Sequence, residues 1–400
     1  MAAAKSRTPR IALMAALVPV AWWTIQNGLT LTLESRSPAV LAKAVPNSPA
    51  GLEVRAATLI AKPNPANFAK ARELLRQSLV QRIFSPQPLR LLGAASGGLQ
   101  FDPRSLPLFK LAEKTSRRDL PTQLYLISVD ARAKRVKPTL ARMDRALRVS
   151  KVGRQQLYPI LAQQLAVPDS RAAIAQLVDD KTPWLPDFLS YVIDTDTPPE
   201  AIARTVVAIG GYPVKEGRKA FEQGLLRSLN ARAQFGAMAE LLPVLKDVPA
   251  RLLTTAALDR DTLDESASPL AWQLGNNPAI TVYTSIDPDN SGSLAIGMGG
   301  GLSGLAARKL VMLEAGPHTI SVKQSAGGSE TGVETAAAQP EWNVVCLDRD
   351  PPTPLISFGG ATASGRFVVP AGCPMVQISL NVRSPDESTA NLSVESVRVD

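Results

Sequence analysis

Two cysteines, Cys346 and Cys373, and a single histidine, His318, are the only thiol and imidazole metal ligands in 400 residues. A structural zinc takes about four N, S or O ligands, and no Cys-x-x-Cys or His-x-x-x-His spacing is present, so no metal site is expected. One histidine also fails to assemble a Ser-His-Asp or Cys-His set, and no catalytic residue and no cofactor is assigned. Aromatic residues are scarce at 5%. That scarcity confines candidates for a ligand-facing aromatic surface to Trp272, Tyr283 and Trp342. For the two tryptophans, packing in a core is the better reading.

What is present suits a chain of two or three domains with real cores: 45% hydrophobic and 20% charged residues. The net charge of +9 divides into about +16 before Arg251 and −7 from Arg251 onward, where 9 Lys+Arg meet 16 Asp+Glu. A basic half and an acidic half point to different domains. The basic charges alternate with acids along amphipathic runs, which describes solvated helix faces, and no nucleic-acid partner is expected.

Lys5, Arg7 and Arg10 precede the apolar run Ile11 to Ile25, with Trp22 and Trp23 near its far end. Positive charge before an apolar run, interfacial tryptophans and the lack of a small-x-small cleavage site predict an uncleaved transmembrane signal anchor over residues 1–36. The expectation is a single-pass membrane protein with its N-terminus in the cytoplasm and the bulk of the chain outside. In such a compartment Cys346 and Cys373, each beside a strand, are expected to form a disulfide.

Over residues 37–262 proline acts as punctuation. It fits the first turn of a helix and breaks the interior, so Pro49, Pro65, Pro86, Pro103, Pro121, Pro138, Pro168, Pro183, Pro198 and Pro213 mark successive helix starts. An unmarked start falls near Gly153. The best-defined unit is Leu120 to Ser150, with Leu124, Ile127 and Ala131 on one helix and Leu140, Met143 and Leu147 on the next. Short helices with one apolar stripe each must stack on neighbours, and a pair length of about 30 to 38 residues predicts an α-solenoid of about six helix pairs. A stacked array of this kind offers a concave face for protein partners.

From about residue 268 the pattern changes to short alternating runs bounded by Gly, Pro and Asn. Strands are predicted at Ala271 to Leu274, Ile280 to Ile286, Ser293 to Met298, Lys309 to Leu313, His318 to Gln324, Trp342 to Leu347, Gly365 to Val369, Val376 to Val382 and Ser393 to Val399. Nine short strands over 268–400 predict an antiparallel β-sandwich, of jelly-roll type.

The helical pair Asp119-Leu-Pro-Thr-Gln-Leu-Tyr-Leu-Ile and Leu140-Ala-Arg-Met-Asp-Arg-Ala-Leu-Arg resembles the tetratricopeptide-repeat superfamily. More narrowly it resembles the degenerate, membrane-anchored repeat proteins of proteobacteria that carry a C-terminal β-domain. Ala146 occupies a small position of the second repeat helix. Thr139, Met143, Lys151 and Ile127 depart from the small, aromatic, proline and glycine residues usual at their positions. Pro269-Leu-Ala-Trp-Gln-Leu, Arg308 to Ile320, Trp342 before Cys346, and Phe367 to Pro374 are similar to the β-domain of the same proteins and, in layout, to carbohydrate-binding jelly rolls. The resemblance implies a single-pass protein of the bacterial inner membrane with the bulk of the chain in the periplasm and scaffolding for protein or polymer assembly, and it transfers no ligand-binding residue.

Three motifs invite chemistry and have plainer readings. Gly299-x-Gly301-x-x-Gly304 lacks room for the helix a dinucleotide site requires, and reads as an inter-strand loop. Asp287-Pro-Asp289-Asn-Ser291-Gly292 begins like a calcium loop, but its twelfth position is Met298, and a polar turn is the ordinary reading. Asp348-Arg-Asp350 is followed by Pro351 and Pro352 and reads as a solvated turn. The expected function is thus a non-enzymatic, membrane-anchored assembly protein that binds protein partners through its helical repeat, in exopolysaccharide synthesis or export. The alternative is a glycan-binding or glycan-acting envelope protein that uses the β-domain on a polysaccharide.

Overall fold

The computed structural model describes residues 37–400 apart from 98–101, 180, 250, 268, 276, 327–335, 348–350, 361–363 and 386–388. The expected anchor over 1–36 and the Asp348-Arg-Asp350 motif lie outside the described residues. The single-pass inner-membrane expectation is corrected: among the described residues no helix is long and apolar enough to cross a membrane. The longest, Pro65–Gln81, has 17 residues and carries Lys70, Arg72, Glu73 and Arg76, whereas a span takes about 20 apolar ones.

Helices fill the chain from Pro38 to Leu263 and strands follow from Gln273. Compactness divides the chain elsewhere, between Leu157 and Tyr158. Proline sits in the first turn of most helices, including Pro49–Ile60, Pro65–Gln81, Leu120–Arg132, Pro168–Leu177 and Pro199–Ala208. The unmarked helix near Gly153 is Lys151–Leu165, which continues through Pro159.

In the first unit, polar caps start the helices. Ser48 Oγ accepts from Gly51 N at 3.1 Å, Asn64 Oδ1 from Asn67 N at 2.7 Å, and Asp119 from Thr122 N at 3.1 Å. Leu52, Ala56, Ile60, Ala71, Leu74, Leu75, Ala94 and Ala95 bury one core among three consecutive helices. Leu120–Arg132 and Val136–Val149 pack on each other. The second helix buries Leu140, Met143 and Leu147 as its pattern predicts, but the first buries Gln123, Leu126, Ile127 and Asp130. Its stripe is rotated because Asp130 turns inward to Arg142 Nε at 2.8 Å, and Arg142 also pairs with Glu113. Electrostatics thus overrides the apolar periodicity.

The second unit holds helices Leu185–Ile193, Pro199–Ala208, Arg218–Ala231 and Phe235–Leu241, whose core includes Trp184, Phe188, Val192, Ile202, Leu225 and Met238. Its strands are β1 (Gln273–Leu274), β2 (Ile280–Ile286), β3 (Gly292–Met298), β4 (Ser303–Val311), β5 (Gly316–Ala326), β6 (Ala336–Ala337), β7 (Gln339–Cys346), β8 (Thr353–Gly359), β9 (Ser364–Val369), β10 (Val376–Arg383) and β11 (Ala390–Val399). They form two sheets, β1-β4-β10-β7-β8 and β2-β3-β11-β5-β9, with the short β6 beside β11. Every pairing is antiparallel except that of β6. Alternation puts Leu294, Ile296, Val394 and Ile320 of one sheet against Trp342, Val344, Ile378 and Leu380 of the other, a β-sandwich core. Cys346, at the end of β7, is bridged to Cys373 before β10, with Cα atoms 5.9 Å apart.

Candidate functional site

The three aromatic candidates go to different places. Trp272 and Trp342 are 2% and 0% exposed and meet edge to face at 6.4 Å in the sandwich core. Their indole N–H groups are satisfied inside: Trp342 donates to Gln324 Oε1 at 3.0 Å, and Trp272 to the Ala256 carbonyl at 3.3 Å. Both tryptophans thus pack in the core, the reading their sequence context favours, and neither faces a ligand on the surface. Tyr283 is 67% exposed and stands on the outer face of the six-stranded sheet.

The local sequence explains that position. Ile280 to Ile286 alternates, so Ile280 and Val282 turn toward the core while Thr281, Tyr283 and Ser285 turn to solvent. A tight turn fixes the register with β3: Asp287 N donates to Ser291 O at 2.8 Å, and Asn290 takes a left-handed φ of 74°. Ser291, through its hydroxyl and then its amide, holds the Asp289 carboxyl below the usual carboxylate range. Asp287–Ser291 is therefore a hairpin turn whose carboxylates serve the turn itself. Residues 299–302 of the glycine motif are likewise the β3–β4 connection, with Gly301 at a φ of 68°, and Gly304 lies in β4.

Strand pairing then builds a surface from residues far apart in sequence. Tyr283 lies opposite Ala295, Ala295 opposite Ser393, and Ser393 opposite Ser325, one row across four strands. The neighbouring row is Thr281, Gly297 and Asn391. At about 4.8 Å per strand the first row runs roughly 14 Å. Its floor is made of Ala, Gly and Ser, with Tyr283 at one rim. Asn391 Oδ1 lies 3.5 Å from where a Cβ on Gly297 would sit, so its amide lies beside the glycine. No residue of either row is charged; the Lys323–Glu395 ion pair stands in the next row beyond Ser393 and Ser325, with Glu395 at the bulge between Val394 and Ser396.

Such a surface has the parts for a neutral, extended, polyhydroxylated ligand. An aromatic face takes apolar C–H edges, and a carboxamide offers a donor and an acceptor together. Sequence reasoning finds Tyr283 but not Gly297, Asn391 or Ser393, whose role exists only once β11 is placed beside β3. The alternation of β3 and β11 is the one signal that could mark them as outward-facing.

A hollow, a cleft of about 620 Å³, opens where β4 and β7 begin and β8 and β10 end, lined by Gln339, Glu341, Asn381 and Arg383 among others. Of its lining residues Glu341 alone carries a carboxylate, whereas glycoside hydrolysis uses two. His318 is occupied locally, with Nε2 2.8 Å from the Glu314 carbonyl and its ring against Phe367.

No family model and no curated protein matches the chain. Solved structures are similar over the β part. A carbohydrate-binding module in complex with β-1,4-galactotriose is 10% identical, with 33% of this chain and 88% of that one aligned and a TM-score of 0.23. A structure from the β-sandwich superfamily of carbohydrate-binding modules is 12% identical over 39% of this chain and 59% of that one, with a TM-score of 0.21. The enzymatically active domain of bacteriophage CBA120 tailspike protein 4 is 17% identical over 32% of this chain, with a TM-score of 0.23. The chain spans about a fifth of that tailspike domain, 19%. Likenesses at these values carry no argument about function.

Proposed function

We propose that the chain is a non-enzymatic binding protein whose β-sandwich holds a neutral polysaccharide on the outer face of its six-stranded sheet. The observation that carries this is Tyr283, 67% exposed at the rim of an uncharged floor of small residues. A tyrosine ring on a flat, uncharged sheet face can stack on the C–H edges of a sugar while its hydroxyl offers a donor and an acceptor. The lack of charge in both rows favours neutral glycans over uronic-acid or sulfated polymers, which need cationic partners.

Affinity electrophoresis of the full chain through gels containing neutral polysaccharides tests the reading. Retardation by at least one neutral β-linked polymer, with none by an acidic polymer, is the expected outcome. Free migration through every neutral polymer of a broad panel rejects it.

A second reading, that the helical half binds a protein, has its own observation. Val80, Ile83 and Phe84 are 80%, 68% and 86% exposed where helix Pro65–Gln81 ends, a local apolar projection. If this is a docking point, the same partner copurifies with the wild type from its native source and is lost with Phe84→Asp. Equal recovery with both proteins excludes Phe84 as that point.

A further inference from the structure

β2 lies at the edge of the six-stranded sheet, where among the described residues its neighbour is β3 alone. The pairs flanking the ladder each carry one cross-strand hydrogen bond: Gly299 N donates to the Ala279 carbonyl, and Asp287 N to the Ser291 carbonyl. Hydrogen-bonded pairs alternate in an antiparallel ladder, so residues 281, 283 and 285 bond to β3. The backbone N–H and C=O groups of Val282, Thr284 and Ile286 point out of the sheet, and among the described residues no other backbone group meets them.

Edge strands normally carry a charge, a proline or a bulge that discourages further pairing. Ile280 to Ile286 has none: the sequence Ile-Thr-Val-Tyr-Thr-Ser-Ile is uncharged, lacks proline and pairs with β3 without a register shift. Its C-terminal half is also incompletely covered on the core side, leaving Ile286 41% exposed.

We infer that β2 is the interface of a twofold dimer, in which it pairs antiparallel with β2 of a second copy and joins the two six-stranded sheets. A twofold centred on Thr284 is the register that uses all three outward-facing residues. Thr284 meets Thr284, and Val282 meets Ile286 twice, for about six backbone hydrogen bonds. The same register lays the second copy's Val282 against the exposed Ile286, on the face where both side chains are apolar. It sets Asp287 opposite Thr281, so no like charges meet. An uncharged strand pairs with its own copy without repulsion, whereas nothing along this edge offers charge complementarity to a different partner. Both Tyr283 rings then lie on one outer face, near the twofold, extending the platform across the joined sheet. The dimer stands independently of whether that face holds a glycan.

Light scattering or sedimentation of the full chain at micromolar concentrations tests the inference. The expected result is twice the mass of one chain, falling to one chain with Thr284→Lys, which puts a charge at the axis, and with Thr284→Pro, which removes an outward N–H that β3 does not use. Circular dichroism of both variants should match the wild type. A wild type that stays monomeric throughout overturns the inference whatever the variants do. A dimer that survives both folded variants overturns it as well, since its interface then lies elsewhere, and capture of a foreign extended peptide by a monomeric chain would identify the edge as a docking site for another protein.

Discussion

The ammonium of Lys309, on β4, donates to the carbonyl of Leu252 at 2.8 Å and fastens the segment that precedes the sandwich to the sheet. The same Nζ donates to the carbonyls of Leu270 and, at 3.0 Å, Leu310. The side chain is fully buried. Burial pushes its pKa down to about 7, against the opposing pull of the Asp259 carboxylate. The unfolded chain keeps this proton up to about pH 10.5, while the folded chain releases it near 7. Between those values the unfolded state binds more protons, so stability rises with pH, and the penalty is greatest below 7. Its full size is at most about 4–5 kcal/mol. Chemical denaturation midpoints from pH 7 to 10 should therefore climb for the wild type relative to Lys309→Met, which lacks the titrating group. Parallel pH profiles for the two proteins would contradict this.

Arg142 organises a second buried polar cluster, in the first compact unit. It is 16% exposed and joins Glu113 to Asp130, while Arg135 and Arg145 also reach these carboxylates. Arg142→Ala leaves two mostly buried carboxylates with weaker partners. A loss of about 2–3 kcal/mol is expected in urea unfolding of the helical region, below the usual cost of breaking a buried pair because two arginines remain. A loss under about 0.5 kcal/mol would show that the network contributes no more than a surface ion pair.

Gly297 separates the glycan reading from stability. A Cβ there meets Asn391 Oδ1 at 3.5 Å, an ordinary contact, and its φ is not in the left-handed region. Gly297→Val suits a strand and raises the floor beside Tyr283. The melting temperature should hold or rise slightly, while affinity for the neutral polysaccharide falls at least about tenfold, or 1.4 kcal/mol. Unchanged affinity would remove this row from the site.

Much of this architecture is legible in the sequence, because its signals are local. Proline in the first turn and a polar cap before it mark the helices, and β2 matches its predicted bounds of Ile280 to Ile286. The failures have physical causes. Pro213 starts no helix; Gly217, with φ of 73°, instead precedes Arg218–Ala231, while Tyr212 is buried against Phe221. Strand β8, Thr353–Gly359, escapes because Pro352 and Pro354 mask it, and it sits at a sheet edge where proline is tolerated. The rotated stripe of Leu120–Arg132 follows from an ion pair formed with another helix. The candidate site was the least legible feature of all, because Tyr283 and Ser393 join one surface only through β3.

The measurement that bears most directly on the central claim is titration calorimetry of the wild type, Tyr283→Ala and Tyr283→Trp with one retained neutral oligosaccharide. Tyr283 is exposed, so both variants should keep the wild-type melting temperature within about a degree or two. Tyr283→Ala is expected to lose about 2 kcal/mol of binding, roughly thirtyfold in affinity, while Tyr283→Trp binds as well as the wild type or better. Equal binding by the wild type and Tyr283→Ala would contradict the account and move any glycan site off this face.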